Sequence, residues 1–108
     1  MQLPSVHKEN TVKKYELMTI YPIEDDKFKA GTDAVRSVLA QFGATIDEEK
    51  PFGDRDLTYE IKKQNRGRFL LFVVKANPAK IADISKQFKL IDNLLKSLFV
   101  KLDEKKSA

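Results

Sequence analysis

Residues 69–74 read FLLFVV, six apolar residues in succession. In a strand, successive side chains point to opposite faces. Leu70, Phe72 and Val74 then share one face, and Phe69, Leu71 and Val73 share the other. A sheet with one wetted face alternates apolar and polar residues. This strand does not alternate, so both of its faces need cover and an interior position in a sheet suits it. The stretch Lys14–Tyr21, KYELMTIY, repeats the anomaly, with Leu17 and Tyr21 on one side and Met18 and Ile20 on the other.

The rest of the chain supplies the neighbours such a sheet needs. Pro22 ends the first strand, and Glu24, Asp25 and Asp26 suit the positive end of a helix. Phe28, Val35, Val38, Leu39 and Phe42 recur at helical spacing, and Gly43 falls where a left-handed cap belongs. The spacing predicts a first helix from about Asp25 to Phe42. Ala44–Lys50 and Asp56–Lys63 are extended stretches interrupted by Pro51-Phe52-Gly53, which predicts one long edge strand with a bulge or bend. Gln64-Asn65-Arg66-Gly67 reads as a turn, because Asn and Gly tolerate positive φ. Arg68–Ala76 is then the third strand. Asn77 as cap and Pro78 at the first helical position open a second helix, with Ile81, Ile84 and Phe88 as its apolar stripe. Lys86 and Lys89 lie near its negative end, Leu90–Asn93 turns the chain, and Leu94–Leu102 is the fourth strand.

The order strand-helix-strand-strand-helix-strand predicts an α+β fold of the ferredoxin-like, split βαβ type. Right-handed crossovers put both helices on one face of a four-stranded antiparallel sheet. The first and third strands lie in the middle, and the second and fourth are edges. The other face should then carry Met18, Ile20, Phe69, Leu71 and Val73. An apolar patch of that kind marks a partner site, unless a terminal segment folds across it. Residues 1–13 read as a flexible polar leader, 14–103 as the domain and 104–108 as a polar tail.

The chain has 108 residues, a size that suits one domain with a core of its own. It contains no cysteine, so no disulfide framework and no thiolate metal site can form. No apolar run is long enough to cross a bilayer as a helix, and the first residues lack an apolar signal core, which argues against a membrane or secretory destination. The net charge of +4 is unevenly spread: residues 1–60 sum to −4 and residues 61–108 to +8. A basic half beside an acidic half suggests an anionic partner on one side, though a lysine-rich solvated surface has the same composition.

The stretch NRGRFLLFVV opens like the RNA-recognition sheet motif, with a basic residue, a glycine and an aromatic. That module stacks bases on two or three aromatics of its central strands. Here Arg68 stands where the first aromatic belongs, and Met18 and Ile20 stand where the companion strand would supply another. The stacking platform is missing, which argues against sequence-specific reading of single strands. Catalysis is no better served. His7 is the one histidine and lies in the leader, which disfavours a His-based triad or metal cluster. The four glycines are too dispersed for a phosphate loop. No enzyme activity, cofactor, metal or small-molecule substrate is expected.

Several stretches together resemble the bacterial family of small-subunit ribosomal protein six. They are Tyr15-Glu16, Gly43-Ala44, DRDLTYEIKK followed by Gly67-Arg68-Phe69, and IDNLLK before the last strand. The likeness covers roughly Lys14 to Asp103. It implies the split βαβ fold, no known enzymatic activity, and a cytoplasmic place on the ribosome. It also implies binding to small-subunit ribosomal RNA in the central domain (the platform), as a heterodimer with ribosomal protein eighteen. Departures are the leader through about Val12, Asp56 and Thr58 in the second strand, and Ile91 in the turn before the last strand, where Lys96 keeps one positive charge. Fewer arginines mean fewer bidentate contacts, so RNA affinity should lean on the protein partner.

The residues expected to contact RNA are Arg55, Lys62, Lys63, Arg66 and Arg68 around the hairpin, with Lys89 and Lys96 flanking the turn before the last strand. Nothing in the sequence puts these two groups on one surface. Contact with the partner protein is expected at Tyr59, Phe69, Leu71, Asp92 and Asn93; Tyr59 could equally pack on the first helix. Two other classes share this fold: a ligand-sensing regulatory domain, and a protein-interaction module that binds no RNA.

Overall fold

A computed structural model describes residues 12–102 of the chain. Of the expected leader only Val12 and Lys13 are described, and Lys13 already begins the first strand; the expected tail lies outside the described residues. The elements run β1 (Lys13–Tyr21), α1 (Asp25–Gln41), β2 (Thr45–Ile61), β3 (Gln64–Ala76), a 3-10 turn (Pro78–Lys80), α2 (Ile81–Phe88) and β4 (Lys96–Lys101). The four strands form one antiparallel sheet in the order β2-β3-β1-β4. The split βαβ arrangement therefore stands, with β1 and β3 central and β2 and β4 at the edges.

The core lies between the sheet and the helices. Leu17 and Tyr21 of β1 and Leu70, Phe72 and Val74 of β3 meet Val35 and Leu39 of α1 and Ile84 and Phe88 of α2. Phe99 of β4 closes one end, its ring stacked on Phe88 at 6.1 Å and edge-on to Tyr15 at 5.8 Å. Thr19 is the polar exception on this face. Its hydroxyl donates to the Leu70 carbonyl at 2.7 Å, which offsets its burial.

Local chemistry sets the ends of the elements. Gly43 takes φ +77°, and the amides of Gly43 and Ala44 donate back to Ala40 and Leu39. That glycine cap ends α1 one residue earlier than the apolar spacing predicts. The Asn77 side chain accepts from the Ala79 amide at 2.9 Å, so the expected cap forms, but it opens a 3-10 turn before α2 begins. In β2 the register shifts between Ile46 and Glu48, between Pro51 and Gly53, and between Asp56 and Ile61. The interruption at Pro51–Gly53 is thus one of three irregularities in a single 17-residue strand.

Two further boundaries differ from the sequence expectation. The β2–β3 turn is Lys62-Lys63, with φ values of 49° and 66°, and Gln64–Gly67 already belongs to β3. A two-residue turn with both residues left-handed matches the twist of the strands it joins, and that geometry outweighs the preference for Asn or Gly. The Lys62 ammonium compensates by donating to the carbonyls of Leu94 and Ile91 at 3.0 and 3.3 Å. Gly67 serves close packing instead of a turn. A Cβ there would lie 2.4 Å from Ile20 Cγ2, so any side chain at this position would have to displace Ile20. The fourth strand runs Lys96–Lys101, with Leu94 and Leu95 buried in the approach to it and the Leu95 amide donating to the Ile20 carbonyl.

Candidate nucleic-acid interface

The basic residues named from the sequence fall into three groups. The first is a lysine corner. Lys62, at the hairpin tip, reaches the turn that feeds β4, and there it meets the other two basic positions in space. Lys62, Lys89 and Lys96 share one recess with Phe88, Leu94 and Ser97. The hairpin and the last turn therefore do supply one surface, through Lys62 and not through the arginines. The carbonyls that hold Lys62 carry no net charge, so its positive charge remains available. Lys89 follows the last turn of α2, where a cation faces the negative end of the helix. Among the described residues no carboxylate lies within ion-pair distance of Lys62, Lys89 or Lys96. Lys63 sits beside them in the turn.

The second group is occupied internally. Arg68 donates to both carboxylate oxygens of Asp54, at 2.8 and 3.4 Å, and to Asp25 at 3.0 Å. Its guanidinium lies 4.9 Å from the Phe28 ring centre. One guanidinium between two carboxylates leaves a net negative cluster, the opposite of what a phosphate seeks. The bonds to Asp54 and then Asp25 push the Arg68 pKa up, and the same guanidinium holds the Asp54 carboxyl below its ordinary value. Arg66 lies 3.2 Å from Asp56 in an exposed ion pair, which offsets part of its charge. The sequence contains all three acids, but only the fold carries Asp25 across from the start of α1 to meet β3. An analogous pair, Arg36 to Glu49 through two bonds of 2.8 and 2.9 Å, ties α1 to β2 and lowers the Glu49 pKa.

The third group is Arg55 alone. It faces the sheet side away from the helices, 6.0 Å from the Phe69 ring centre, and donates to the Phe52 carbonyl at 3.4 Å.

That far side of the sheet is as the parity predicts. Met18 stands opposite Leu71 and Ile20 opposite Phe69, so these four share a face, together with Val73. Their exposure is smaller than expected. Ile20, Leu71 and Val73 keep 8%, 8% and 7% of their surface. Leu71 thus offers little area to a partner. More apolar surface is exposed on β4, where Leu98 and Val100 continue the same face and keep 58% and 47%. The alternation in LLKSLFVKL carries that signal, with Leu98 and Val100 at one parity and Phe99 at the other.

Tyr59 is 65% exposed and does not pack on α1. It lines a second recess with Ile20, Leu57, Phe69 and Lys96. Lys96 therefore borders both recesses. Asp92 is exposed, while Asn93 is half-buried with its carbonyl set against Gly31 of α1. Among the described residues no group of three His, Cys, Asp or Glu could hold a metal ion, and no helix is long and apolar enough to cross a membrane.

Comparison with known proteins adds a family. A family model described as ribosomal protein S6 matches residues 14–101. The small ribosomal subunit protein bS6 of Treponema denticola is 53% identical over 93 residues, covering 86% of this chain and 100% of that protein. The protein of the same name from Treponema pallidum is 40% identical over 92 residues, covering 85% and 99%. A crystal structure of 30S ribosomal protein S6 from Thermotoga maritima superposes with a TM-score of 0.76, over 89% of this chain and 92% of that one. At 16% identity that likeness shows the fold.

Proposed function

The chain belongs to the ribosomal protein S6 family, and from that premise we propose that it binds the RNA of the small ribosomal subunit cooperatively with ribosomal protein eighteen. Its place as a structural, non-enzymatic constituent of the small subunit follows from the family itself.

The observation that carries the cooperative reading is the uneven use of charge. The second half of the chain sums to +8, yet its two arginines, Arg66 and Arg68, are tied to carboxylates of the same chain. What remains for RNA is a small set of lysines and Arg55. Phosphate neutralisation by a few point charges yields weak, salt-sensitive binding. A second protein on the same RNA supplies the missing affinity. The half-exposed apolar residues Leu98 and Val100 on an edge strand support a protein neighbour, because a solvated edge gains nothing from them.

The test is binding to a central-domain ribosomal RNA fragment across a salt series, with and without ribosomal protein eighteen. The expected result is binding that requires the partner and weakens steeply with salt. Tight binding by this chain alone would refute the cooperative reading. Absence of binding in both cases would refute RNA binding itself and favour an interaction module that works through protein contacts.

A further inference from the structure

We infer that the sugar-phosphate backbone of the RNA crosses the lysine corner formed by Lys62, Lys89 and Lys96, and does not run along the arginines of the β2–β3 hairpin. This rests on the RNA-binding reading above and says where on the chain the contact lies.

Three observations carry it. The first is convergence. Lys62 comes from the hairpin, Lys89 from the end of α2 and Lys96 from the start of β4, yet all three border one recess. Three positive charges brought together from separate elements raise the local potential, an arrangement that self-repulsion disfavours unless an anion relieves it. The second is the absence of internal compensation. Among the described residues these lysines have no carboxylate partner, whereas Arg66 has one and Arg68 has two. A phosphate at Arg68 would have to displace Asp54 and Asp25, or meet their uncancelled charge. The third is preorganisation. The Lys62 ammonium is held by the carbonyls of Leu94 and Ile91, so part of its conformational freedom is already lost before any ligand arrives. Those two bonds leave one of its three N–H groups free to point outward. Ser97, half-buried in the same recess, adds a hydroxyl donor.

Across Lys96 lies the hollow of Phe69 and the exposed Tyr59, which Asp56 also lines. A nucleotide chain that crosses the corner passes beside this hollow.

The experiment compares the wild-type chain with K89Q/K96Q and R66Q, each with ribosomal protein eighteen, on the central-domain RNA fragment. The readout is the slope of the logarithm of the binding constant against the logarithm of salt concentration. Each lost phosphate contact should reduce that slope by about one. K89Q/K96Q is expected to lower it by about two, and K89R/K96R to restore it. R66Q, whose charge already has a carboxylate neighbour in Asp56, should change the slope far less. Both lysine side chains are exposed, and formation of the complex with ribosomal protein eighteen without RNA would show that each variant is folded. An unchanged slope in K89Q/K96Q while wild type still binds would overturn the placement alone. So would a loss in R66Q as large as in the lysine variant. Failure of the wild-type pair to bind would overturn both the placement and the RNA-binding reading.

Discussion

Gly31→Ala should destabilise this protein, although helix preference alone says the reverse. Gly31 lies inside α1, and alanine there is intrinsically favoured over glycine by about 1 kcal/mol. The packing opposes that gain. A Cβ on Gly31 would lie 2.3 Å from the Asn93 carbonyl oxygen, 2.7 Å from Tyr21 Cδ2 and 3.1 Å from the Asn93 carbonyl carbon. Two of these atoms belong to backbone and the third to a fully buried ring, so none can swing aside. Overpacking of this kind costs about 1–3 kcal/mol, and the severe approach to Asn93 puts this case at the upper end. After the helix gain is subtracted, the variant should be roughly 1–2 kcal/mol less stable, a fall in melting temperature of roughly 5–15 °C for a domain this small. The displaced segment also carries the carbonyls of Ile91 and Leu94 that hold Lys62, and it precedes the bond from the Leu95 amide to the Ile20 carbonyl. Urea denaturation monitored by circular dichroism gives the stability. Amide exchange should quicken first in residues 91–95. A variant as stable as wild type, or more so, would refute the close-packing argument.

Three further outcomes follow from the same geometry. Lys63→Gly should stabilise the chain by about 0.5–1 kcal/mol, because Lys63 holds φ 66° and makes no side-chain hydrogen bond among the described residues; denaturant midpoints check it. Asn77→Ala should cost about 1 kcal/mol through loss of the bond to the Ala79 amide, with amide exchange faster at residues 79–82. Acid should destabilise the fold through Asp54 and Glu49, whose pKa values lie below their ordinary 3.8 and 4.5 because Arg68 and Arg36 bind them. A depressed folded pKa contributes stability that is fully present above the ordinary value and is lost as pH falls through the folded one. Melting temperatures should therefore be level above about pH 5 and fall below about pH 4, less steeply in R36Q/R68Q than in wild type. An acid limb of the same steepness in both would disprove the assignment to these two pairs.

The fold was legible because its signals are local and repeated. Apolar parity in FLLFVV and KYELMTIY, helical spacing from Phe28 to Phe42 and the Asn77-Pro78 start each read out one element, and strand order follows from the handedness of crossovers. Turn position was not legible, because Lys62 and Lys63 take the left-handed conformation that Asn65 and Gly67 advertise. What decided it was the twist of two long strands and the anchoring of Lys62 on a turn 29 to 32 residues away in sequence.

The candidate site divides along the same line. Composition alone determines that the second half of the chain is basic, and hence that an anionic partner is possible. It cannot tell a free cation from a compensated one, because compensation depends on which carboxylate folding brings within about 4 Å. Arg68 is 43 residues from Asp25 in sequence and 3.0 Å away in space, so that guanidinium is already engaged within the chain. Lys62, Lys89 and Lys96 are scattered in sequence and meet only because the hairpin leans on the turn before β4. Local sequence dictates periodicity and therefore elements; which charges cancel and which accumulate is a matter of long-range distance, and only the tertiary structure sets that.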